Sequence, residues 1–337
     1  MKKKVLVTVI SLCTVVMTVK AQRTDMTRED IITVDSGRFR LNGRTFIPRG
    51  VNYYPVRRPW RLFWSCYDSS TVRKDLGIIQ GLGFNTIRIF VGSDSLSDTT
   101  TVRLRVAQLG NMLDLADQRQ MKVIVTLFDF LGDYDPSTRP AVDRQLNVLL
   151  TAFSGHKALF AWDIKNEPDL DLGLNGGRVK EWLEWILPRA RAYDSCHLIT
   201  IGWAHPENAV LFHDRTDFVS FHSYRPVHQL AMDVKRLSGQ LIGKPLLLEE
   251  CGLSTYDGQT VRSARKERRQ SSYFSKVRKI LRDNGDIPFL VWTLYDFQPE
   301  AAAVVGKTPR EQAREMRFGV LRTDGSYKPA VKVLIHP

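Results

Sequence analysis

One pattern constrains this chain more than any other. A short run of β-branched, aliphatic or aromatic residues is followed by a longer stretch with helical periodicity, and the unit then recurs. Eight such runs succeed one another, at residues 45–53, 85–91, 122–128, 159–164, 197–202, 217–222, 245–250 and 287–294. Helical patterns lie between them, as at 70–82, 102–120, 178–193 and 260–283, with a short one near 308–316 after the last run. Apolar residues spaced three and four apart mark the helices, and compact β-branched runs mark the strands. Strands alternating with helices pair in parallel through right-handed crossovers. Eight units in one undivided chain predict an α/β fold, a closed (β/α)8 barrel. Residues 123–127 and 246–248 are continuously apolar, as strands covered on both faces must be. An open doubly wound sheet would favour a glycine-rich phosphate loop after its first strand. Gly81 and Gly83 instead precede a strand and lack the third glycine.

Length and composition agree with a single large domain. The 337 residues are 43% apolar and 25% charged, ordinary values for a globular protein. Residues 1–21 read as a secretory signal: three lysines, an apolar run to Val19, then a small-residue cleavage site at Val19-Lys20-Ala21. The run falls short of the roughly 18 or more apolar residues a membrane span needs. The mature chain is expected to begin at Gln22, to be exported to a periplasmic, cell-surface or extracellular site, and to form one domain over 22–337. The whole sequence carries a net charge of +13, and losing the signal's four lysines leaves +9. The basic residues are scattered, apart from a denser stretch at 262–269 on an expected helix. Without a basic stripe interleaved with stacking aromatics, no nucleic-acid partner is expected. Beyond the signal, Cys66, Cys196 and Cys251 form no CxxC pair, and an odd number leaves at least one free thiol. The histidines show no HExxH and no zinc-type spacing, so no metal or other cofactor is expected. Nothing in the sequence sets the oligomeric state.

Ahead of the first barrel strand, residues 32–41 and 44–47 form an expected hairpin around Asn42-Gly43, a strong turn pair. Its expected place is the barrel floor. Asp324-Gly325 marks a second turn near the end.

In such barrels, chemistry gathers where strands end. The eight runs bring to that rim Asn52 and Tyr53, Arg88, Asp129, Asn166 and Glu167, Trp203 and His205, His222 and Tyr224, Glu249 and Glu250, and Trp292. An arginine, an asparagine, two carboxylate positions, a His–Tyr pair and several aromatics suit glycosidic cleavage. That reaction passes through an oxocarbenium-like state and needs an acid on the leaving oxygen and a carboxylate opposite. In retaining enzymes the two groups stand about 5–5.5 Å apart.

These segments resemble glycoside hydrolases of clan A, and family 5, the cellulase and mannanase family, most closely. FRLNGRTFIPRGVNYYP (39–55) is similar to the family's opening strand, and GFNTIRIFV (83–91) to its second strand with the family arginine. WDIKNEP (162–168) carries the Asn-Glu-Pro motif, and FHSY (221–224) its His-x-Tyr. LLLEECG (246–252) matches the nucleophile strand, VWTLYDF (291–297) supplies the strand-eight tryptophan, and FGVLRTDGSYKPA (318–330) resembles a common clan ending. The resemblance implies Glu167 as acid/base, Asn166 as the group binding the sugar 2-hydroxyl, and Glu250, one residue and then a glycine from the motif's end, as nucleophile. Two departures stand out. The histidine that many members carry at the end of strand three is absent, with Phe128 and then Asp129 there. The usual aromatic after the nucleophile is Cys251. Mannanase-type members also lack that histidine, which tilts the expected substrate toward β-mannan over β-glucan.

Residue by residue, the expectations are these. Since strand residues alternate faces, only one of Glu249 and Glu250 should point inward. Arg88 and Tyr224 should bind Glu250. Trp292 should offer a sugar-stacking face. Tyr53, Trp64 and Trp203 are weaker candidates for substrate contact, and His222 is either a working or a framework histidine. Glu167 should start protonated, with its pKa raised toward about 6 as in other acid/base carboxyls. Lys165 could suggest a Schiff-base aldolase, but the Asn-Glu-Pro motif explains that strand end better. Alternatives are an exo-acting glycosidase or transglycosylase, and a carbohydrate-binding barrel without turnover.

Overall fold

The computed structural model describes residues 30–93, 98–258, 263–299 and 304–335. The expected signal, its Cys13 and the expected mature start lie outside the described residues. A small antiparallel sheet opens the chain, with β1 (Thr33–Asp35), β2 (Arg38–Leu41) and β3 (Arg44–Thr45). Eight parallel strands then close into a barrel: β4 (Arg49–Asn52), β5 (Thr86–Gly92), β6 (Lys122–Asp129), β7 (Leu159–Asn166), β8 (Leu198–Trp203), β9 (Val219–Ser223), β10 (Leu246–Cys251) and β11 (Phe289–Val291). They pair in chain order, and β11 closes the ring on β4.

The crossovers are helical. α1 (Leu62–Ser65) and α2 (Ser69–Gly81) follow β4, α3 (Thr99–Asp117) follows β5, α4 (Arg139–Phe153) follows β6, and α5 (Leu172–Tyr193) follows β7. α6 (Val227–Gln240) follows β9, and α7 (Ala264–Asp283) follows β10. α8 (Pro309–Glu315) and α9 (Ala330–Ile335) follow β11. Side chains cap several starts. Asp68 accepts from the Ser70 and Thr71 amides at α2, and Thr308 and Glu311 form a reciprocal capping box at α8. The β8–β9 connection departs from the alternating pattern. It holds a single 3-10 turn at His213–Arg215 in place of a helix.

Two barrel strands start later than the runs suggest, and proline accounts for both starts. Pro48 and Pro288 have no amide hydrogen to give a ladder, so β4 and β11 begin just after them. The hairpin also divides once more than expected. Ser36 and Gly37 both take positive φ (51° and 70°), as do Asn42 and Gly43 (53° and 72°). Each pair is a tight two-residue turn, which makes the expected hairpin a three-stranded meander. It plugs the barrel floor as expected. Phe39 stands edge-on to Phe160 and to Phe218, both at 5.1 Å, within an apolar cluster with Ile32, Ile124, Leu247 and Leu290. Phe39→Ala is therefore expected to cost about 3–5 kcal/mol of folding stability. Denaturant unfolding would measure the loss, and turnover by the folded fraction should stay unchanged because the plug lies at the barrel end opposite the carboxylates.

The Asp324-Gly325 turn forms as expected, with the Ser326 amide donating to Asp324 Oδ1 (2.8 Å). Cys66, Cys196 and Cys251 are all free. Among the described residues no helix is long and apolar enough to cross a membrane.

Candidate active site

Arg88 stands at the centre of the rim, fully buried on β5. Its Nη1 donates to Asn52 Oδ1 (3.0 Å) and to the Glu250 carboxylate. Its Nη2 donates to Asp163 Oδ2 (2.7 Å) and Asn166 Oδ1 (2.9 Å), and its Nε faces Glu249 Oε1 at 3.5 Å. Side chains from β4, β5, β7 and β10 thus meet on one guanidinium. Gly202 on β8 makes room for them. A Cβ there would lie 2.9 Å from Asp163 Oδ2, 3.0 Å from Arg88 Nη2 and 3.1 Å from Glu249 Oε2. Arg88→Met would leave Asp163, Glu249 and Glu250 buried without their common counter-charge. Breaking such an arrangement is expected to cost about 3–5 kcal/mol, read as a fall in the denaturant midpoint.

The alternation argument for Glu249 and Glu250 fails here. Both side chains are buried and both face Arg88. The physical reason is a register shift. On β9, Phe221 pairs with Leu248 and the next residue, His222, pairs with Glu250, so β10 carries an extra residue at Glu249. A second irregularity, between Asp163 and Asn166, lets β7 aim both of those residues at Arg88.

Tyr224, just past β9, donates its hydroxyl to Glu250 Oε2 (2.6 Å). Burial and the neighbouring Glu250 hold the tyrosine well above its ordinary pKa, so it stays a donor. Glu250 therefore accepts hydrogen bonds from two sides. Glu167 lies just past β7 in the left-handed region (φ 49°, ψ 49°), with its amide donating to the Gly202 carbonyl (2.7 Å). A non-glycine residue held there costs on the order of 1–3 kcal/mol, strain typical of working sites. His222 Nδ1 lies 2.9 Å from Glu167 Oε1.

That contact corrects the expectation for Glu167. Burial does push its carboxyl up, but the His222 hydrogen bond and charge, with Arg88 and Lys165, outweigh burial and bring it below the usual glutamate value. His222 moves the other way. Burial opposes its charge, yet Glu250 and Glu167 lift the imidazole above its ordinary value. Burial and Asp163 push Glu249 up to about 7 against the pull of Arg88 and His222.

Asn166 accepts from Arg88 at Oδ1 and donates from Nδ2 to Asp129 Oδ1 (3.2 Å), which leaves one amide hydrogen for a ligand. Burial pushes Asp129 up to about 6, against Lys165 and Arg88. Lys165 is occupied by the Asn166 carbonyl (2.6 Å), and burial lowers its pKa.

A cavity of about 640 Å3 opens over these groups. Asp129, Asn166, Glu167, Tyr224, Glu250 and Trp292 line it, as the sequence motifs suggested. Arg88 and four other expected residues lie outside its lining. Tyr53 is buried and donates to Asp75 (2.8 Å), Asn52 fixes Arg88, His222 sits behind Glu167, and Trp203 is buried in β8. Trp64 is also buried, with Nε1 donating to the Phe90 carbonyl (2.6 Å). The sequence reading missed one wall altogether. Lys307, Glu311, Arg314 and Glu315, on and before α8, and Phe318 beyond it, border the cavity. Burial, with Glu250 and Glu167 nearby, pushes Glu315 up to about 7. Helix periodicity located α8, but nothing in its composition indicates that it lies over the rim.

Among the described residues one cluster has metal-ligand proximity. Glu167, His222 and Glu250 each bring a ligand atom within 4.8 Å of the others. Glu250's oxygens are already engaged by Arg88 and Tyr224.

Residues 49–298 match the family model described as Cellulase (glycosyl hydrolase family 5). The chain belongs to glycosyl hydrolase family 5. As a family 5 glycoside hydrolase it is similar to Mannan endo-1,4-beta-mannosidase 5 of Arabidopsis thaliana, at 29% identity over 77 residues, 20% of this chain and 18% of that protein. Its fold is similar to that of the exo-beta-1,4-mannosidase Op5Man5 from Opitutaceae bacterium strain TAV5. The TM-score is 0.73 at 20% identity, over 90% of this chain and 61% of that one. It is also similar to GH5_18 from Streptomyces cattleya, solved in complex with GlcNAc, with a TM-score of 0.66 at 18% identity over 86% and 79% of the two chains. The family 5 chain thus spans under two thirds of the length of Op5Man5, and its match to the plant enzyme is shorter still.

Proposed function

We propose that this family 5 hydrolase cleaves β-mannosides with retention of configuration, with Glu250 as nucleophile and Glu167 as acid/base. One observation carries the reading. An oxygen of Glu167 and an oxygen of Glu250 lie within 4.8 Å of each other beside the cavity. Retaining pairs stand about 5–5.5 Å apart, and inverting pairs leave about 6.5–9.5 Å for a water. In the first step Glu250 attacks the anomeric carbon, the glycosidic bond breaks, and Glu167 gives its proton to the leaving oxygen. In the second, Glu167 takes a proton from water, which displaces Glu250. Asn166's free amide hydrogen suits the sugar 2-hydroxyl, and Trp292 offers a ring to its CH face.

The mannoside assignment is supported by the absence of the family histidine at the end of the third barrel strand, where Phe128 and Asp129 stand, and by the mannosidase relatives. Exo action is favoured over endo action by the wall that α8 and Lys307 raise along one side of the cavity. The signal-like residues 1–21 support an exported enzyme.

The test is reducing-sugar release by residues 22–337 on mannans, glucans, xylans and galactans, with NMR of the first product. A β-anomer from mannan supports the whole reading, and an α-anomer removes the retaining mechanism. Mannose alone as product indicates exo action, and mixed oligosaccharides indicate endo action.

A further inference from the structure

Asp129 is a carboxyl of the cavity that the reaction above leaves without a task, and the backbone is bent to bring it there. Thr126, three residues earlier on β6, points into the barrel and donates to Asp163 Oδ2 (2.8 Å). Strict alternation would send Phe128 inward as well, and Asp129 out toward the helices. A register shift reverses both. On β5, Val91 pairs with Leu127 and the next residue, Gly92, pairs with Asp129, so β6 carries an extra residue at Phe128. Phe128 and Phe130 both take positive φ (51° and 60°), a region that bulky residues occupy only where their surroundings hold them. Phe128 turns outward, edge-on to Trp182 of α5 at 5.6 Å, and Asp129 joins the cavity lining.

So placed, Asp129 is short of donors. It is only 7% exposed, and its one hydrogen bond among the described residues comes from Asn166 Nδ2 to Oδ1 (3.2 Å). Oδ2 has no partner among those residues. Lys165 acts on Asp129 only at a distance, since its ammonium donates to the Asn166 carbonyl (2.6 Å). Burying a carboxyl oxygen without a donor is costly, and this one belongs to a residue that lines the space a ligand fills. Beside it is the amide hydrogen that Asn166 keeps free. A donor and an acceptor thus stand next to each other, held by the bond between their side chains. Two neighbouring hydroxyls of a pyranose offer the matching pair, one oxygen to accept and the next O–H to donate.

We propose that Asp129 is a specificity-determining residue whose free oxygen accepts from the 3-hydroxyl of the sugar under attack, while Asn166 donates to the 2-hydroxyl. The inference rests on the reading of Glu250 as nucleophile and of Asn166 as the partner of the 2-hydroxyl. Carbon 2 has two ring neighbours. Carbon 1 is the reacting centre between Glu250 and Glu167, so the hydroxyl next to the one Asn166 binds is that on carbon 3. The pair then acts as a filter. A sugar that is acylated, glycosylated or deoxygenated at position 3 has no hydrogen to give, and leaves Asp129 buried and unpaired. A site built around a hydroxyl rejects an analogue without it for that reason. An ester at position 3 must therefore be hydrolysed by another enzyme before this one acts.

The test is a cycle of two substrates and two enzymes. The substrates are 2,4-dinitrophenyl β-mannoside and its 3-deoxy analogue, and the enzymes are the unsubstituted one and Asp129→Ala. The ratio of the two kcat/KM values gives the preference for the 3-hydroxyl, and the sugar's intrinsic change in reactivity cancels between enzymes. Asp129→Ala is expected to shrink that preference roughly 10- to 150-fold, the range for a hydrogen bond to a charged group. A shift smaller than ~10-fold would overturn the proposal. The 2-deoxy analogue covers a purely orienting role. If Asp129 only holds Asn166, the preference for the 2-hydroxyl shrinks and that for the 3-hydroxyl stays, which also overturns it. Should Asp129→Ala fail to fold, Asp129→Asn keeps the shape. Its amide oxygen must face Asn166 Nδ2, which turns its NH2 toward the sugar. A 3-fluoro sugar, which cannot donate, should then gain on the 3-hydroxyl sugar, and an unchanged order would overturn the assignment. The 3-hydroxyl is equatorial in mannose, glucose, galactose and xylose, so the cycle runs on whichever of these β-glycosides is cleaved. Cleavage of the glucoside and not the mannoside would remove the mannoside reading alone. If none of the four is cleaved, the functional reading and this proposal fall together.

Discussion

Glu250→Ala is expected to reduce turnover on the order of 10⁵-fold, the scale of loss when a covalent nucleophile is removed. The unfolding midpoint should barely move. Arg88 keeps its hydrogen bonds to Asp163, Asn52 and Asn166, so the variant loses one partner of the cluster without losing the cluster. Truncation also opens a space on the face of the sugar opposite the leaving group. Azide can enter it and attack the anomeric carbon of an activated β-glycoside directly. The product should then be the α-glycosyl azide, identified by NMR, formed with partial recovery of rate. A β-azide, or activity within tenfold of the unsubstituted enzyme, would remove Glu250 from the nucleophile role. Glu249→Ala is the informative comparison, since both neighbours touch Arg88. Only the Glu250 variant should yield an azide adduct, because Tyr224 and the cavity lie on that residue's side.

The barrel was legible because its signal is redundant. Eight apolar runs at helical intervals can close in few ways, and each run's buried face is written in residues such as Val123, Val125 and Leu127. Asn166, Glu167, Tyr224, Glu250 and Trp292 were legible because each stands at or just past a strand end, where the fold gathers side chains, and Arg88 because the motif of the second run carries it. What escaped the sequence depends on register. Alternation gives Glu249 and Glu250 opposite faces, and a one-residue shift against β9 brings both to the same arginine. The protonation of Glu167 escaped for a related reason. Burial alone argues for a raised pKa, but the sign is set by which charges stand close, and the 2.9 Å contact to His222 is a tertiary fact. Tyr53 shows the opposite failure. Its position at a strand end suggests a rim residue, yet the chain turns it into the core to donate to Asp75. The α8 wall comes from a loop, and loop trajectories carry no periodic signal.

Glu167→Ala should separate the two halves of the reaction. With a leaving group that needs protonation, turnover is expected to fall by roughly 10²–10⁴, the contribution of a positioned general acid. With 2,4-dinitrophenolate the first step needs no proton and should stay close to normal. The glycosyl-enzyme then waits for a water that no base activates, so it accumulates and produces a burst of phenolate. Azide needs no base, so it should discharge this intermediate and give the β-glycosyl azide, the opposite anomer from the Glu250 variant. The pH profile should change with it. In the unsubstituted enzyme Glu167 and Glu250 both help lift the His222 pKa. Removing Glu167 takes away one of those anions, so His222 should lose its proton at lower pH than before. For the poor leaving group the alkaline limb should flatten, because the acid it reports is gone. Equal losses on both leaving groups, with no burst and no β-azide, would show that Glu167 holds the site's shape without handling the proton.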